Sequence, residues 1–257
     1  MREFLETIIR EAGRISLESY GRIDPAAIHF KTEKDLVTDT DRAVELYITD
    51  EIKKKYPNHA LYGEETGMSG KAETTGYRWI IDPIDGTTSF VHEIPFYSVS
   101  IALEYRQELV LGAVYAPKLN ELFIAEKNKG AFCNGKTIRV SGRQKLAQSL
   151  IGTGFACLRS DTDKNNLPYF NRVAPRVRGV RRMGSAALDL AYTACGRLDA
   201  FWEWHLKPYD YAAGILLVRE AGGVVTDLSG THEYETRGIY AANPHVYREL
   251  FNILQDP

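Results

Sequence analysis

Long apolar runs are missing from this chain, and so is a surplus of charge of one sign. Apolar residues make up 44% of its 257 positions, yet no run approaches the ~20 residues that span a bilayer. At the N-terminus, MREFLETIIREAGR, an Arg or Glu interrupts every apolar stretch, which leaves no hydrophobic segment for a secretory leader. The expected location is the cytoplasm, with no membrane partner. The 34 acidic residues nearly balance the 32 basic ones, for a net charge of −2. Such a chain has no long-range field to hold a phosphate backbone, so nucleic acid is not an expected partner. Cysteine is scarce too: Cys133, Cys157 and Cys195 are odd in number, far apart, and show no CxxC or Cys/His ligand spacing. That pattern excludes a disulfide framework and a zinc site, and the three are read as buried thiols rather than nucleophiles. The six histidines have no metal-ligand spacing either.

What is present is enough chain for one large domain or two modest ones, with a core that needs no staples. Leu5, Ile8, Ile9, Ala12 and Ile15 recur at helical spacing, so residues 3–20 are predicted as an amphipathic helix closed by Gly21. A second helix is predicted over about 40–56, with Ala43, Val44, Tyr47, Ile48 and Ile52 inside. Between 78 and 126 the pattern turns to short strands, RWIID, YSVSIALEY, ELVLGAVYA and ELFIAE, a mostly antiparallel meander. From about residue 149 a strand in IGTGF, a polar stretch SDTDKNN, and helices near 165–174, 185–195, 210–221 and 245–255 follow, with the strand VVTDL before the last. The prediction is α+β, sheets sandwiched between helix layers, with an N-terminal half over 1–145 and a C-terminal half over 146–257 forming one unit.

The most informative segment is WIIDPIDGTTSF, an apolar strand ending in Asp82 and Asp85 and then a Gly-Thr-Thr turn. Pro83 bends the chain so that both acids can face one volume, and Gly86 lets the backbone approach a ligand closely. Two crowded carboxylates repel unless a cation lies between them, and hard oxygen donors without Cys or His select Mg²⁺ over zinc. Taken alone, Asp-Pro-x-Asp-Gly is equally a surface turn. Three further acidic sites shift that balance: Glu64–Glu65 after ALYG, Asp41 at a helix start, and Asp210 opening another helix.

The blocks GEE (63–65), WIIDPIDGTTSFVH (79–92), PYDYAAG (208–214) and EAGG (220–223) resemble the signature segments of the inositol monophosphatase family. The resemblance extends to KTEKDLVTDTD (31–41), GAFCNGKTIRVS (130–141) and MGSAALDLAY (183–192), in the family order. It implies a Mg²⁺-dependent, lithium-sensitive phosphomonoesterase with the layered αβαβα sandwich of the inositol monophosphatase and fructose-1,6-bisphosphatase type, usually a homodimer. By resemblance, Glu64, Asp82 and the Ile84 carbonyl bind a first Mg²⁺, and Asp82, Asp85 and Asp210 a second. A third, weaker ion leans on Glu64. Thr87, paired with Asp41, and Glu64 activate the water, with Lys31 behind them; the spacing before Asp35 leaves Lys34 as an alternative for that position. The phosphate is expected on the N–H groups of Gly86 and Thr87, and substrate hydroxyls on Asp85, Asp210, the backbone around Ser185 and Ala186, and Glu203.

Without the resemblance, Asp41 reads as a first-turn helix acid and Glu203 as an exposed strand acid. Tyr209-Asp210 stands where many relatives have Trp-Asp, wording shared with some histidinol-phosphate phosphatases. Arg181 and Arg182 read either as solvated or as a contact for the second phosphate of fructose 1,6-bisphosphate. The expected substrate is inositol 1-phosphate or a similar small polyol or sugar phosphate; a regulatory homologue without chemistry is the alternative of another class.

Overall fold

Helices α1 (Arg2–Ser19) and α2 (Asp39–Lys55) form one outer layer of the computed structural model, which describes residues 1–32, 35–70, 75–158 and 164–255. α1 buries Leu5, Ile8, Ile9 and Ala12, an i, i+3, i+4, i+7 stripe. A short hairpin, β1 (Ile28–Thr32) and β2 (Asp35–Thr38), leads into α2. There Thr38 Oγ1 accepts from the Asp41 N–H, and the Asp41 carboxylate accepts from the Thr38 N–H, a reciprocal cap that fixes where the helix starts. Lys53, Lys54 and Lys55 occupy its last turn, where a cation is favoured by the helix dipole. The inner face of α2 differs from the expected stripe. Ala43 is exposed, and Glu45 and Thr49 are buried beside Val44, Ile48 and Ile52, because the helix turns Glu45 inward onto the amides of Glu65 and Thr66.

The next layer is an eight-stranded sheet, in the order β10-β9-β8-β7-β6-β5-β3-β4. Its strands are β3 (Ala60–Gly63), β4 (Gly67–Ser69), β5 (Tyr77–Asp85), β6 (Ser98–Tyr105), β7 (Glu108–Ala116), β8 (Glu121–Glu126), β9 (Gly130–Cys133) and β10 (Lys136–Thr137). The antiparallel meander expected over 78–126 is β5 to β8. The parallel pairing of β3 with β5 is the one exception among these strands, and it brings the ends Gly63 and Ile81 side by side. One face of the sheet packs on α1 and α2 through Trp79, Ile81, Val99, Ile101 and Ile124. Trp79 is fully buried, and truncating such a side chain to Ala costs about 3–5 kcal/mol.

The other face carries α5 (Ala186–Ala194) and α6 (Pro208–Glu220), which form a middle helix layer. The approach is close: a Cβ on Gly112 of β7 would lie 3.0 Å from the Ala213 Cα of α6. Beyond lies a five-stranded sheet, ordered β12-β11-β13-β15-β14, made of β11 (Leu150–Thr153), β12 (Gly179–Arg181), β13 (Ala200–Glu203), β14 (Val224–Thr226) and β15 (Ile239–Ala242). Its far side is covered by α4 (Leu167–Val173) and α8 (Pro244–Gln255), around a core with Trp202, Tyr240 and Leu250. A one-turn helix α3 (Thr87–Val91) follows β5, and α7 (Tyr234–Arg237) precedes β15. The result is the expected αβαβα sandwich.

Several expected elements are shorter than their sequence patterns. The strand Leu150–Thr153 takes only the first three residues of IGTGF, and VVTDL contributes only Val224–Thr226, since Asp227 turns to cap the Ser229, Thr231 and Glu233 amides. Of SDTDKNN, residues 160–163 lie outside the described part. Cys157 is buried, but Cys133 and Cys195 are half-buried, and none is in a disulfide. Burial pushes all three thiols up, away from nucleophile character. Among the described residues no helix is long and apolar enough to cross a membrane.

Candidate metal centre and active site

Residues three apart on a regular strand face opposite sides of the sheet. β5 avoids this with a bulge: Asp82 pairs with Ser100 and Asp85 with Ser98, so three steps on β5 oppose two on β6. Pro83, which has no N–H to give to a ladder, sits inside the bulge. The Ile84 N–H turns back onto Asp82 Oδ1 at 3.1 Å. Asp82 and Asp85 thereby reach the same side, where Asp210, in the first turn of α6, meets them. One carboxylate oxygen from each of the three lies within 4.8 Å of the others.

Each acid is held in place. Asp85 Oδ2 accepts from Ser185 Oγ at 2.6 Å and from the Ala187 N–H at 2.7 Å, at the start of α5. Asp210 Oδ2 accepts from the Lys207 N–H at 2.5 Å, so the N-terminus of α6 holds it. Both middle-layer helices thus point their positive ends at the acidic cluster.

Gly86 follows with φ 96° and ψ 38°, a left-handed conformation that favours glycine. A Cβ there would also lie 2.9 Å from the Gly184 carbonyl oxygen. Thr87 Oγ1 stands 3.1 Å from both Asp41 Oδ1 and the Ile84 carbonyl. Asp41 Oδ2 accepts from the Thr38 N–H at 2.8 Å and from Thr38 Oγ1 at 2.5 Å. Asp41 is therefore both the first-turn acid of α2 and the partner of Thr87.

Burial without a counter-charge shifts these acids upward. Asp82 is pushed well above the usual carboxylate range by burial and then by Glu64, Asp85 and Asp210. Burial raises Asp85 to about 6, against the pull of Ser185 and the α5 amides. Asp210 is raised by burial and by Asp85, and the Lys207 N–H draws it back. Asp41 rises to about 7, again through burial, with the Thr38 bonds opposing. A divalent cation complements this charge, and the oxygen-only donor set suits a hard one.

Glu64 borders the same cavity as Asp82, Ile84, Asp85, Gly86, Thr87 and Asp210, but its carboxylate is outside the group of three that converge within 4.8 Å. Ser185, whose backbone is expected against substrate, donates its hydroxyl to Asp85. Ala186 and Glu203 line an adjoining small cavity together with Asp85. Glu203 is 5% exposed rather than a surface acid, and Oε1 accepts from the Ala156 N–H. Arg182 lines both cavities, while Arg181 is exposed and folds back onto the Val180 carbonyl. The Lys31 side chain and Lys34 lie outside the described residues.

Sequence reasoning missed Glu45. Fully buried on α2, its carboxylate accepts from the Glu65 N–H at 2.9 Å and the Thr66 N–H at 2.8 Å. It thereby clamps the loop that carries Glu64. A Cβ on Gly63 would overlap that carboxylate, so the glycine before Glu64-Glu65 was the available signal.

The chain is similar to known proteins along its whole length. Residues 1–256 match the inositol monophosphatase family. A Pseudomonas aeruginosa protein named Nus factor SuhB is 44% identical over 250 residues, covering 96% of this chain and 92% of that one. An inositol-1-monophosphatase from Mesorhizobium japonicum is 42% identical over 248 residues, covering 96% and 93%. The crystal structure of the extragenic suppressor protein suhB from Bartonella henselae superposes with a TM-score of 0.93 at 40% identity, covering 99% and 98%.

Proposed function

Since the chain belongs to the inositol monophosphatase family, we propose that it is a Mg²⁺-dependent phosphomonoesterase that hydrolyses inositol 1-phosphate to inositol and phosphate. The observation that carries this reading is the convergence of Asp82 and Asp85, both buried, with the half-buried Asp210 within 4.8 Å, three acids that need a cation to coexist. Asp82, Asp85 and Asp210 would hold one Mg²⁺, and Asp82, Glu64 and the Ile84 carbonyl another, with a third ion near Glu64. When bound, Mg²⁺ stabilises charge on the phosphoryl and leaving oxygens and acidifies a water.

The chain's own groups do the rest. Thr87 Oγ1, donating to Asp41 Oδ1, keeps lone pairs to orient the attacking water, and Glu64 flanks it. Asp41, raised to about 7, can hold the displaced proton near neutral pH. The phosphate rests on the Gly86 and Thr87 N–H groups. Water oxygen bonds to phosphorus, the ester P–O bond breaks, and the inositol oxygen leaves and is protonated. Asp85, Ser185, Ala186, Glu203 and Asp210 surround the departing polyol. The two halves of the chain act as one unit, as a cytoplasmic homodimer.

Phosphate release from inositol 1-phosphate, fructose 1,6-bisphosphate, histidinol phosphate and 3′-phosphoadenosine 5′-phosphate, with Mg²⁺ and with added Li⁺, tests the proposal. Inositol 1-phosphate should be the fastest and Li⁺ inhibitory; finding it the slowest refutes the substrate. Asp85→Asn should abolish turnover.

A second reading comes from the relative named Nus factor SuhB: a binding role that does not need the chemistry. If the inactive Asp85→Asn protein still restores the phenotype of a strain lacking this chain, that role is the physiological one. If it fails to, while folding normally, the chemistry is.

A further inference from the structure

Asp189 lies in the first turn of α5, 1% exposed. Its Oδ1 is buried and has no hydrogen-bond partner among the described residues. The carboxyl packs over Gly152, where a Cβ would lie 3.6 Å from Asp189 Cγ. It lines a cavity of about 30 Å³ with Asp85, Arg182, Ser185, Glu203 and Leu206. That volume admits a water-sized group.

No hydrogen bond or ion pair among the described residues rewards Oδ1 of this acid. An unpaired buried carboxyl costs stability in any protein. Here Asp85 and Glu203 add like charge, and Arg182 is exposed and forms no hydrogen bond or ion pair with it. The other polar residues buried on the same helix are satisfied: Ser185 caps it through the Leu188 N–H, and Thr193 Oγ1 donates to the Asp189 carbonyl. A polar atom left open beside a reaction centre is a group held for a ligand.

We propose that Asp189 determines substrate specificity: its free oxygen accepts a hydroxyl of the polyol leaving group in the cavity between Asp85 and Glu203. This rests on the phosphatase reading above and narrows it. The cavity takes a neutral hydroxyl. A second phosphate is too large for it and would meet three acids, so the preferred substrates are monoesters of polyols that carry a hydroxyl directed away from the ester. Asp189 works alongside Glu203, whose Oε1 is already engaged by the Ala156 N–H.

The test uses the full chain with Mg²⁺ and compares kcat/KM for inositol 1-phosphate with that for p-nitrophenyl phosphate, whose leaving group has no such hydroxyl. Asp189→Leu should lower the ratio about 10-fold or more, mainly through KM, because the polyol hydroxyl loses its buried hydrogen-bond partner. Asp189→Asn keeps an acceptor oxygen and should recover part of the ratio. Both variants should melt higher than the parent in chelator, since each removes a buried unpaired carboxyl. A ratio within about twofold of the parent for Asp189→Leu, or lower melting temperatures for both variants, overturns the assignment, the latter by making Asp189 a structural support. A parent protein that releases no phosphate from either ester overturns the phosphatase reading and this inference with it. An active parent with an unchanged ratio overturns the inference alone.

Discussion

Replacing Asp41 by Asn separates the charge of that side chain from its shape. In the folded protein burial raises the carboxyl to about 7, whereas in the unfolded chain it titrates near ~3.9. An acid raised in this way stabilises the fold while protonated: its contribution is full below the unfolded value and disappears as pH rises through the folded one. A gap of roughly 3 units corresponds to about 4 kcal/mol, of which about 3 kcal/mol is lost between pH ~4.5 and ~7.5. At roughly 2–4 °C per kcal/mol for a chain of this size, that is a fall of about 6–12 °C in Tm. Asn cannot titrate. It can keep one oxygen on Thr38 and turn its amide toward Thr87, so a cap loss of about 1 kcal/mol should appear at every pH alike. The assay is thermal unfolding of both proteins in chelator across that range. The parent should lose several degrees more than Asp41→Asn on going from acid to neutral pH. Parallel profiles would show that the Asp41 environment is far better solvated than its 1% exposure implies.

Added Mg²⁺ should raise Tm at neutral pH, by about 2.7 kcal/mol of stability at a hundredfold excess over Kd. The gain should shrink toward pH ~5, where Asp82, Asp85 and Asp210 hold protons that compete with the ion; an equal gain at both pH values contradicts the raised acids. Gly63→Ala should destabilise by about 1–3 kcal/mol through overlap with Glu45 and lower kcat together with stability, measured by urea unfolding and initial rates. Glu45→Gln keeps an acceptor and should preserve more activity than Glu45→Ala, which leaves the Glu65 and Thr66 amides unmet; equal rates in the two would remove Glu45 from the loop's support. Binding to single-stranded or duplex nucleic acid should be weak and without a steep salt slope, since the net charge is −2; a filter-binding affinity that collapses with salt contradicts this.

The helices and the β5–β8 meander were legible because their signals are local: a 3.6-residue stripe in α1, and alternation punctuated by turns between residues 78 and 126. The parallel pairing of β3 with β5 was not, since nothing local distinguishes a parallel neighbour from an antiparallel one, and it joins residues well apart in the chain. At the site, Asp82 and Asp85 stood out because two acids close an apolar strand around a proline. Glu45 and Asp189 did not. Each is an acid on a helix, the commonest sign of a solvated face, and only the packed neighbours reveal that these two point inward. Glu203 became visible only through family resemblance, because an acid at a strand end is ordinarily exposed. Ala43 failed in the opposite direction, since a small apolar residue is tolerated on either side of a helix.

The bulge in β5 supplies two acids from the first sheet, but Ser185, Ala187 and Asp210 come from helices made about a hundred residues later. During synthesis, the nascent chain therefore carries Asp82 and Asp85 for a long stretch of translation without the third acid and without the donors that hold Asp85. The group of three acids is therefore completed late in synthesis rather than at its start. A chain stalled before α6 emerges consequently lacks the converged acids, which meet only when the middle helices dock.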